Sequence, residues 1–89
     1  MSETKNETPK TREEILRSAL EARVQEVMHY QINIDNYTLA LARIGALDAD
    51  ERADLSGFVE QLQSLLASER LEQKKARVML DVLRAQVEG

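Results

Sequence analysis

His29 is the first residue to consider for acid-base chemistry or metal binding, because it is the single histidine of the chain. A metal site needs further nitrogen, sulfur or carboxylate ligands, and the sequence contains no cysteine. The helical pattern described below places His29 between two apolar stripes. We therefore expect a solvated or simply hydrogen-bonded histidine, and neither a metal nor another cofactor.

Carboxylates and hydroxyls are the other side chains that could catalyse a reaction. The pairs Glu13-Glu14 and Asp48-Asp50 stand where helix caps and first turns are expected, so their positions are explained by the helix dipole. The candidate hydroxyl nucleophiles are Ser18, Thr38, Ser56, Ser64 and Ser68. None has the surrounding pattern of an activated nucleophile, and the chain has no glycine-rich phosphate loop. The sequence predicts a protein that is not an enzyme and has no small-molecule substrate.

The segment SERLEQKKAR, residues 68–77, is the one concentrated basic feature. On a helix, Arg70, Lys74 and Arg77 share a face and Lys75 lies beside it. A solvated face with Glu–Lys pairs is the favoured interpretation, and a patch that holds RNA phosphates is the alternative. The segment has no aromatic residue to stack on bases, and the net charge of the chain is −4. RNA is therefore the less favoured partner.

Composition limits the classes of protein to which the chain can belong. With 89 residues it forms one domain, and Leu, Ala, Glu, Arg and Gln favour helix. No apolar run approaches the roughly 20 residues that span a bilayer, and the N-terminus lacks the apolar core of a signal peptide. The absence of cysteine fits a reducing compartment. We expect a cytoplasmic protein without a membrane partner.

Capping signals predict two helices. Thr11 and Glu14 have capping-box spacing, so a first helix should span 12–44 and end where Gly45 adopts a left-handed conformation. Residues 1–10 are polar and should form a disordered tail.

A second cap starts the other helix after a turn at 45–48. Asp48, with Glu51 three residues later, should begin a helix over 49–87. The weak point is the pair Ser56-Gly57, since glycine costs about 1 kcal/mol relative to alanine inside a helix. A short helix that breaks at this pair is the less favoured alternative.

The segment YQINIDNYTLAL, residues 30–41, has two periods. Alternation of apolar and polar residues about Asp35-Asn36 would suit a β-hairpin. Steps of three and four suit a helix, and the residues in that stripe are Val27, Tyr30, Ile34, Tyr37, Leu41 and Ile44. The helical stripe extends beyond the disputed segment, and an isolated hairpin is marginal in water. The fold class is therefore all-α, with residues 11–89 forming a long antiparallel two-helix hairpin.

Each helix carries apolar residues on two faces. The main stripe of the second helix contains Leu55, Phe58, Leu62, Leu66, Ala76, Leu80, Leu83 and Val87. Second stripes, nearly opposite the main ones, contain Met28, Ile32 and Leu39 in the first helix and Leu71, Val78 and Val82 in the second. Ordinary scattered surface residues are one explanation. The favoured explanation is a contact surface for another copy or another protein.

One hairpin buries little apolar area, so we expect two copies to pair as a homodimer with a four-helix bundle. Within each hairpin, residues whose numbers sum to about 96 should face each other. Arg23 would then lie opposite Glu69 and Gln73. These three residues form a polar core layer or, if the helices splay, remain in solvent.

The turn LDADERAD, residues 47–54, resembles the turn of the Rop-like plasmid proteins, which are helical hairpins that dimerise and bind paired RNA hairpins. The resemblance implies the bundle architecture and RNA binding. Rop-like proteins bind RNA through polar, basic and Phe side chains on the outer face of the first helix. That face here carries Met28, Ile32, Asn36, Leu39 and Arg43. Of these, Asn36 and Arg43 suit the role.

The segment VMHYQINID, residues 27–35, is similar to the end of the last helix in the lambda Gam family, phage inhibitors of a host nuclease. This resemblance implies a phage or plasmid accessory protein. The leading functional hypothesis is a non-catalytic protein that binds and modulates or inhibits a host protein. A Rop-like dimeric RNA-binding regulator and a structural oligomerisation module are the alternatives.

Overall fold

The computed structural model describes residues 11–89, whose regular structure is entirely helical. Helix α1 spans Arg12–Gly45, α2 spans Ala49–Asp54 and α3 spans Ser56–Glu88. Helices α1 and α3 pack antiparallel as an extended hairpin, and each is about 50 Å long at 1.5 Å per residue. The predicted all-α hairpin is confirmed. The tail predicted at residues 1–10 lies outside the described residues.

The start of α1 is the capping box expected from its sequence. The Thr11 hydroxyl accepts from the Glu14 amide at 3.2 Å, and the Thr11 amide donates to the Glu14 carboxylate at 2.9 Å. Two amides that would otherwise lack partners at the helix end are thereby satisfied. Residues 30–41 lie wholly within α1, so the helical interpretation of that segment is confirmed and the β-hairpin is excluded.

The left-handed conformation predicted for Gly45 is wrong. No described glycine has a positive φ, and Gly45 is the last residue of α1. The helix closes instead with tight bonds, from the Ala46 amide to the Arg43 carbonyl at 3.2 Å and from the Leu47 amide to the Ile44 carbonyl at 3.0 Å. Such i→i+3 bonds satisfy terminal carbonyls without a left-handed residue.

The continuous second helix predicted over 49–87 is also wrong, because Leu55 interrupts it. Asp48 caps α2 by accepting from the Glu51 amide at 2.9 Å, as expected. Leu55 then has φ −102° and ψ 10°, and its amide bonds three residues back to Arg52 at 3.1 Å. The following Ser56-Gly57 pair has weak helix propensity, which makes this a favourable place for the break.

Within residues 11–89, the buried side chains lie along one seam between α1 and α3. The buried apolar residues are Ile34, Ile44, Leu62, Leu66, Ala76 and Leu80. They recur at three- and four-residue steps, which keeps them on one side of each helix. The predicted main stripes are therefore correct in outline. Phe58 is the exception, because it is 46% exposed and lies beside the seam.

Hydrogen bonds between the helices define the register. Arg12 bonds Gln86, Asn33 bonds Glu69, and Gln73 bonds the Val27 carbonyl, so the paired residue numbers sum to 98, 102 and 100. The expected sum of 96 is too small. A sum of about 100 places the reversal of the chain near residue 50, which lies inside α2. The short helix α2 is therefore part of the connection between α1 and α3.

Truncation within the seam should destabilise the fold far more than truncation beside it. Leu62→Ala removes a side chain that is 4% exposed, and we expect a loss of roughly 2–4 kcal/mol of unfolding free energy. Leu65→Ala is the matched control, because Leu65 is 40% exposed on the same helix. Urea denaturation at low protein concentration measures both changes. Equal losses would contradict the assignment of the seam.

Candidate functional site

The outer edge of α1 carries an apolar stripe of Met28, Ile32 and Leu39, called here the α1 stripe. These side chains are 54–66% exposed. They lie about 170° around the helix from the seam, at 100° per residue, so α3 of the same hairpin cannot cover them. That these residues contact another chain stays a prediction.

The outer edge of α3 carries the corresponding α3 stripe of Leu71, Val78 and Val82. These side chains are 47–61% exposed. The two stripes point away from each other, since each lies opposite the shared seam. All six residues singled out from the sequence are therefore available to other molecules, on opposite edges of one hairpin.

Sequence reasoning missed a third exposed apolar group. Phe58, Leu65 and Met79 are 40–46% exposed along one side of the α3 seam, and we call them the apolar flank. Positions 58, 65, 72 and 79 are seven residues apart, and all but Glu72 are apolar. This heptad spacing predicts that the three apolar residues share one side of the helix. Ile15 on α1 is exposed as well.

A shallow open depression lies on the outer face of α1, lined by Gln25, Met28, His29 and Ile32. His29 is exposed at its edge. Within residues 11–89, no group of three or more His, Cys, Asp or Glu side chains is placed to hold a metal ion. The depression offers contact area and no assembled catalytic group.

The polar part of the seam centres on Gln73, a buried polar residue of α3. Its side-chain nitrogen donates to the Val27 carbonyl at 3.2 Å and to Gln31 Oε1 at 3.0 Å. Both bonds cross from α3 to α1. A buried amide with both donors satisfied favours the register that provides those acceptors.

The other members of the expected polar layer find different partners. Arg23 pairs with Glu26 on its own helix at 2.7 Å, and Glu69 accepts from the Asn33 amide group at 2.6 Å. No hydrogen bond or ion pair in the described part of the chain joins Arg23 to Glu69 or Gln73. Gln73 is buried, whereas Arg23 and Glu69 are half-buried. That the three residues act as one polar core layer stays a prediction.

Tyr30 sits half-buried next to these acids. Its hydroxyl donates to Glu26 at 3.5 Å. Burial raises the pKa of Tyr30 above the ordinary 10.0, and the negative charges of Glu26, Glu72 and Glu69 raise it further. A phenolate is therefore disfavoured at this point of the seam.

The basic residues divide between two sides of α3. Lys75 pairs with Glu72 at 3.0 Å. Arg70, Lys74 and Arg77 have neither an ion pair nor a hydrogen bond with any side chain or backbone group of residues 11–89, and the same holds for Arg84. Arg70, Arg77 and Arg84 follow seven-residue steps, about 10.5 Å apart along the helix. We call these four residues the basic flank, which lies across the seam from the apolar flank.

No helix within residues 11–89 combines the length and the apolar character that a membrane crossing requires. Comparison of the chain with known families, with curated proteins and with solved structures found no match. The functional assignment therefore depends on the surface chemistry of the hairpin.

The Tyr30 environment has a measurable consequence. In a Tyr37→Phe variant, Tyr30 is the remaining tyrosine, and its ultraviolet titration should give a pKa above 10.0. Adding Glu26→Gln should move that pKa back towards 10.0, whereas Glu60→Gln, on the outer face of α3, should not. Because the folded-state pKa is raised, the stabilisation from neutral Tyr30 is complete below pH 10 and is lost as pH rises through the folded pKa. Identical titrations with and without Glu26 would contradict the described contact.

Proposed function

We propose that this protein is a small non-catalytic binding protein that covers a surface of another protein with the outer stripes of its helical hairpin. The observation that supports the proposal is the exposure of both stripes on edges that the hairpin cannot bury itself. Exposed apolar side chains in contiguous rows are typical of interaction surfaces.

The shape of the hairpin supports binding over catalysis. Two long helices in a single layer produce a large edge area and a shallow depression, whereas enzymes enclose substrates in concave pockets. Rows of apolar residues at helical spacing suit a groove or a helix on a partner protein. Modulation or inhibition of a host protein by occupying such a surface is the specific form of the proposal, and the likeness of residues 27–35 to phage nuclease inhibitors favours it.

Self-association is part of the same proposal. A homodimeric four-helix bundle would bury the apolar flank of Phe58, Leu65 and Met79, because this side of α3 extends the apolar seam outwards. Bundle pairing leaves the outer stripes exposed. The protein would therefore retain its binding edges after dimerisation.

Affinity capture from a lysate of the source cells tests the proposal. The wild-type chain should retain a specific protein, and Ile32→Asp should weaken that retention at least tenfold, about 1.4 kcal/mol, because it places a charge in the α1 stripe. Ser18→Asp adds the same charge to an exposed position on the outer face of α1, outside the stripe, and should bind as wild type. If Ile32→Asp retains the captured protein as strongly as the wild-type chain does, the α1 stripe is excluded as the contact surface.

RNA binding is the second candidate, favoured by the basic flank, whose four residues have no ion pair within residues 11–89. Three arginines at steps of about 10.5 Å and the adjacent Lys74 could contact phosphates of a structured RNA. The acidic side chains elsewhere and the lack of nearby aromatic residues oppose this candidate.

Band-shift assays with a structured RNA, repeated across salt concentrations, test the second candidate. If the basic flank holds phosphates, Arg70→Gln with Arg77→Gln should weaken binding and lower the salt slope by about 0.7–0.9 per lost contact. Lys75→Gln is the matched control, because Lys75 pairs with Glu72 on the other side of α3. An absence of any shift at low salt would remove this candidate.

A further inference from the structure

The two outer stripes have the same spacing. On α1, the stripe together with one neighbouring acid forms a row of four residues, which are Met28, Ile32, Asp35 and Leu39. On α3, the stripe together with one neighbouring base forms a row of four residues, which are Leu71, Lys75, Val78 and Val82. Each row advances by four, three and four residues, so both cover the same length on the outer face of a helix. Every one of these eight side chains is exposed.

Placed side by side in opposite directions, the rows match at every position. The pairs are Met28 with Val82, Ile32 with Val78, Asp35 with Lys75, and Leu39 with Leu71, and each pair of numbers sums to 110. Three apolar pairs therefore enclose one pair of opposite charges. The match combines apolar contact with charge complementarity in a single register.

Three other alignments of the same rows place unlike groups together. In a parallel alignment, Ile32 would face Lys75 and Asp35 would face Val78. If the α1 row paired with its own copy antiparallel in the same way, Ile32 would face Asp35. The α3 row paired with its own copy would place Lys75 against Val78. These alternatives set a charge against an apolar side chain, which costs desolvation without a partner.

The matched rows cannot meet within one chain, because they lie on opposite edges of the hairpin. We propose that the α1 stripe of one copy binds the α3 stripe of a second copy, antiparallel and with Asp35 facing Lys75. This inference rests on the proposed function, since it names a second copy of this chain as a protein that the stripes contact.

The contact is heterologous, because the two surfaces that meet are different. Each bound pair leaves one α1 stripe and one α3 stripe free, so assembly continues beyond two copies until a ring closes or a filament forms. The sum of 110 exceeds the intramolecular sum of about 100 by ten residues, which staggers neighbouring copies by about 15 Å.

The charges define the register more than the strength of the contact. In the free chain Lys75 pairs with Glu72 at 3.0 Å, and Asp35 accepts from Gln31 at 2.9 Å. Both interactions are exposed and exchange readily with an intermolecular pair. Apolar contact provides the association, and Asp35 with Lys75 disfavours the alternative alignments.

Sedimentation equilibrium with two single variants tests the contact. Ile32→Asp blocks the α1 stripe and leaves the α3 stripe intact, and Val78→Asp does the reverse. Each variant alone should have a lower mass than wild type, because every contact would include a blocked stripe. An equimolar mixture should rise to at least twice the mass of either variant alone, since intact stripes of both kinds are then present. Both variants keep the apolar flank, so bundle pairing contributes equally to all three samples.

The outcomes discriminate between arrangements. If Val78→Asp alone has the wild-type mass, α1 stripes bind each other. If Ile32→Asp alone has the wild-type mass, α3 stripes bind each other. Either result overturns the proposal, as does a mixture whose mass equals those of its components. A loss of host-protein capture with the mixing result intact would refute the proposed function and leave this contact standing.

Charge reversal provides a second test that does not depend on apolar truncation. Asp35→Lys and Lys75→Asp should each weaken association about threefold or more, because each places like charges together. The double variant should associate as wild type, since the pair is restored with its signs exchanged. Circular dichroism of every variant verifies that the hairpin remains helical. If the double variant associates no more strongly than the single variants, the pairing of Asp35 with Lys75 is overturned.

Discussion

Two helices about 50 Å long share a single line of contact, and the rest of the molecule depends on how little this seam can bury. Ordering a residue costs roughly 1–2 kcal/mol of backbone entropy, which must be offset largely by apolar burial. Here the least exposed apolar residues, Ala76 and Leu62, are still 3% and 4% exposed. Most other positions along both helices face solvent. A single-layer hairpin therefore has much surface and a thin interior, which favours association as a further source of burial.

Polar groups at the middle of the seam provide the specificity that leucines and isoleucines alone would not. Apolar rows tolerate sliding by a heptad, because one apolar residue replaces another. Gln73 cannot slide without losing the Val27 carbonyl and the Gln31 side chain, and Glu69 would lose Asn33. The cost of leaving the buried Gln73 amide unsatisfied, about 1–3 kcal/mol, disfavours the shifted registers.

Local signals made much of this fold predictable from the sequence. Thr11 with Glu14 and Asp48 with Glu51 act within one helical turn, so their spacing was sufficient to locate two helix starts. The end of α1 depends on how the chain reverses, which no short pattern encodes. The Ser56-Gly57 pair indicated where the second helix is weak, but a propensity cost of about 1 kcal/mol did not by itself decide between a continuous helix and the break at Leu55. The register error followed from the same cause, because α2 belongs to the connection. The partners of Arg23 and Glu69 could not be derived once the register was displaced by about one turn.

The candidate surfaces were predictable to different degrees for geometric reasons. Residues diametrically opposite the seam, such as Ile32 and Val78, are exposed under any small rotation of their helix. Phe58 lies beside the seam, where a rotation of a few tens of degrees decides between burial and exposure.

The same geometry separates two kinds of association. The proposed two-fold bundle would use the apolar flank and would close after two copies, because the same surface occurs on both partners. The proposed contact between outer edges would use different surfaces and would not close by itself. Because the flank and the edges occupy different sides of the hairpin, one association does not compete with the other. Bundle pairing would increase the number of free edges on each particle, so weak edge contacts would gain strength through multivalency.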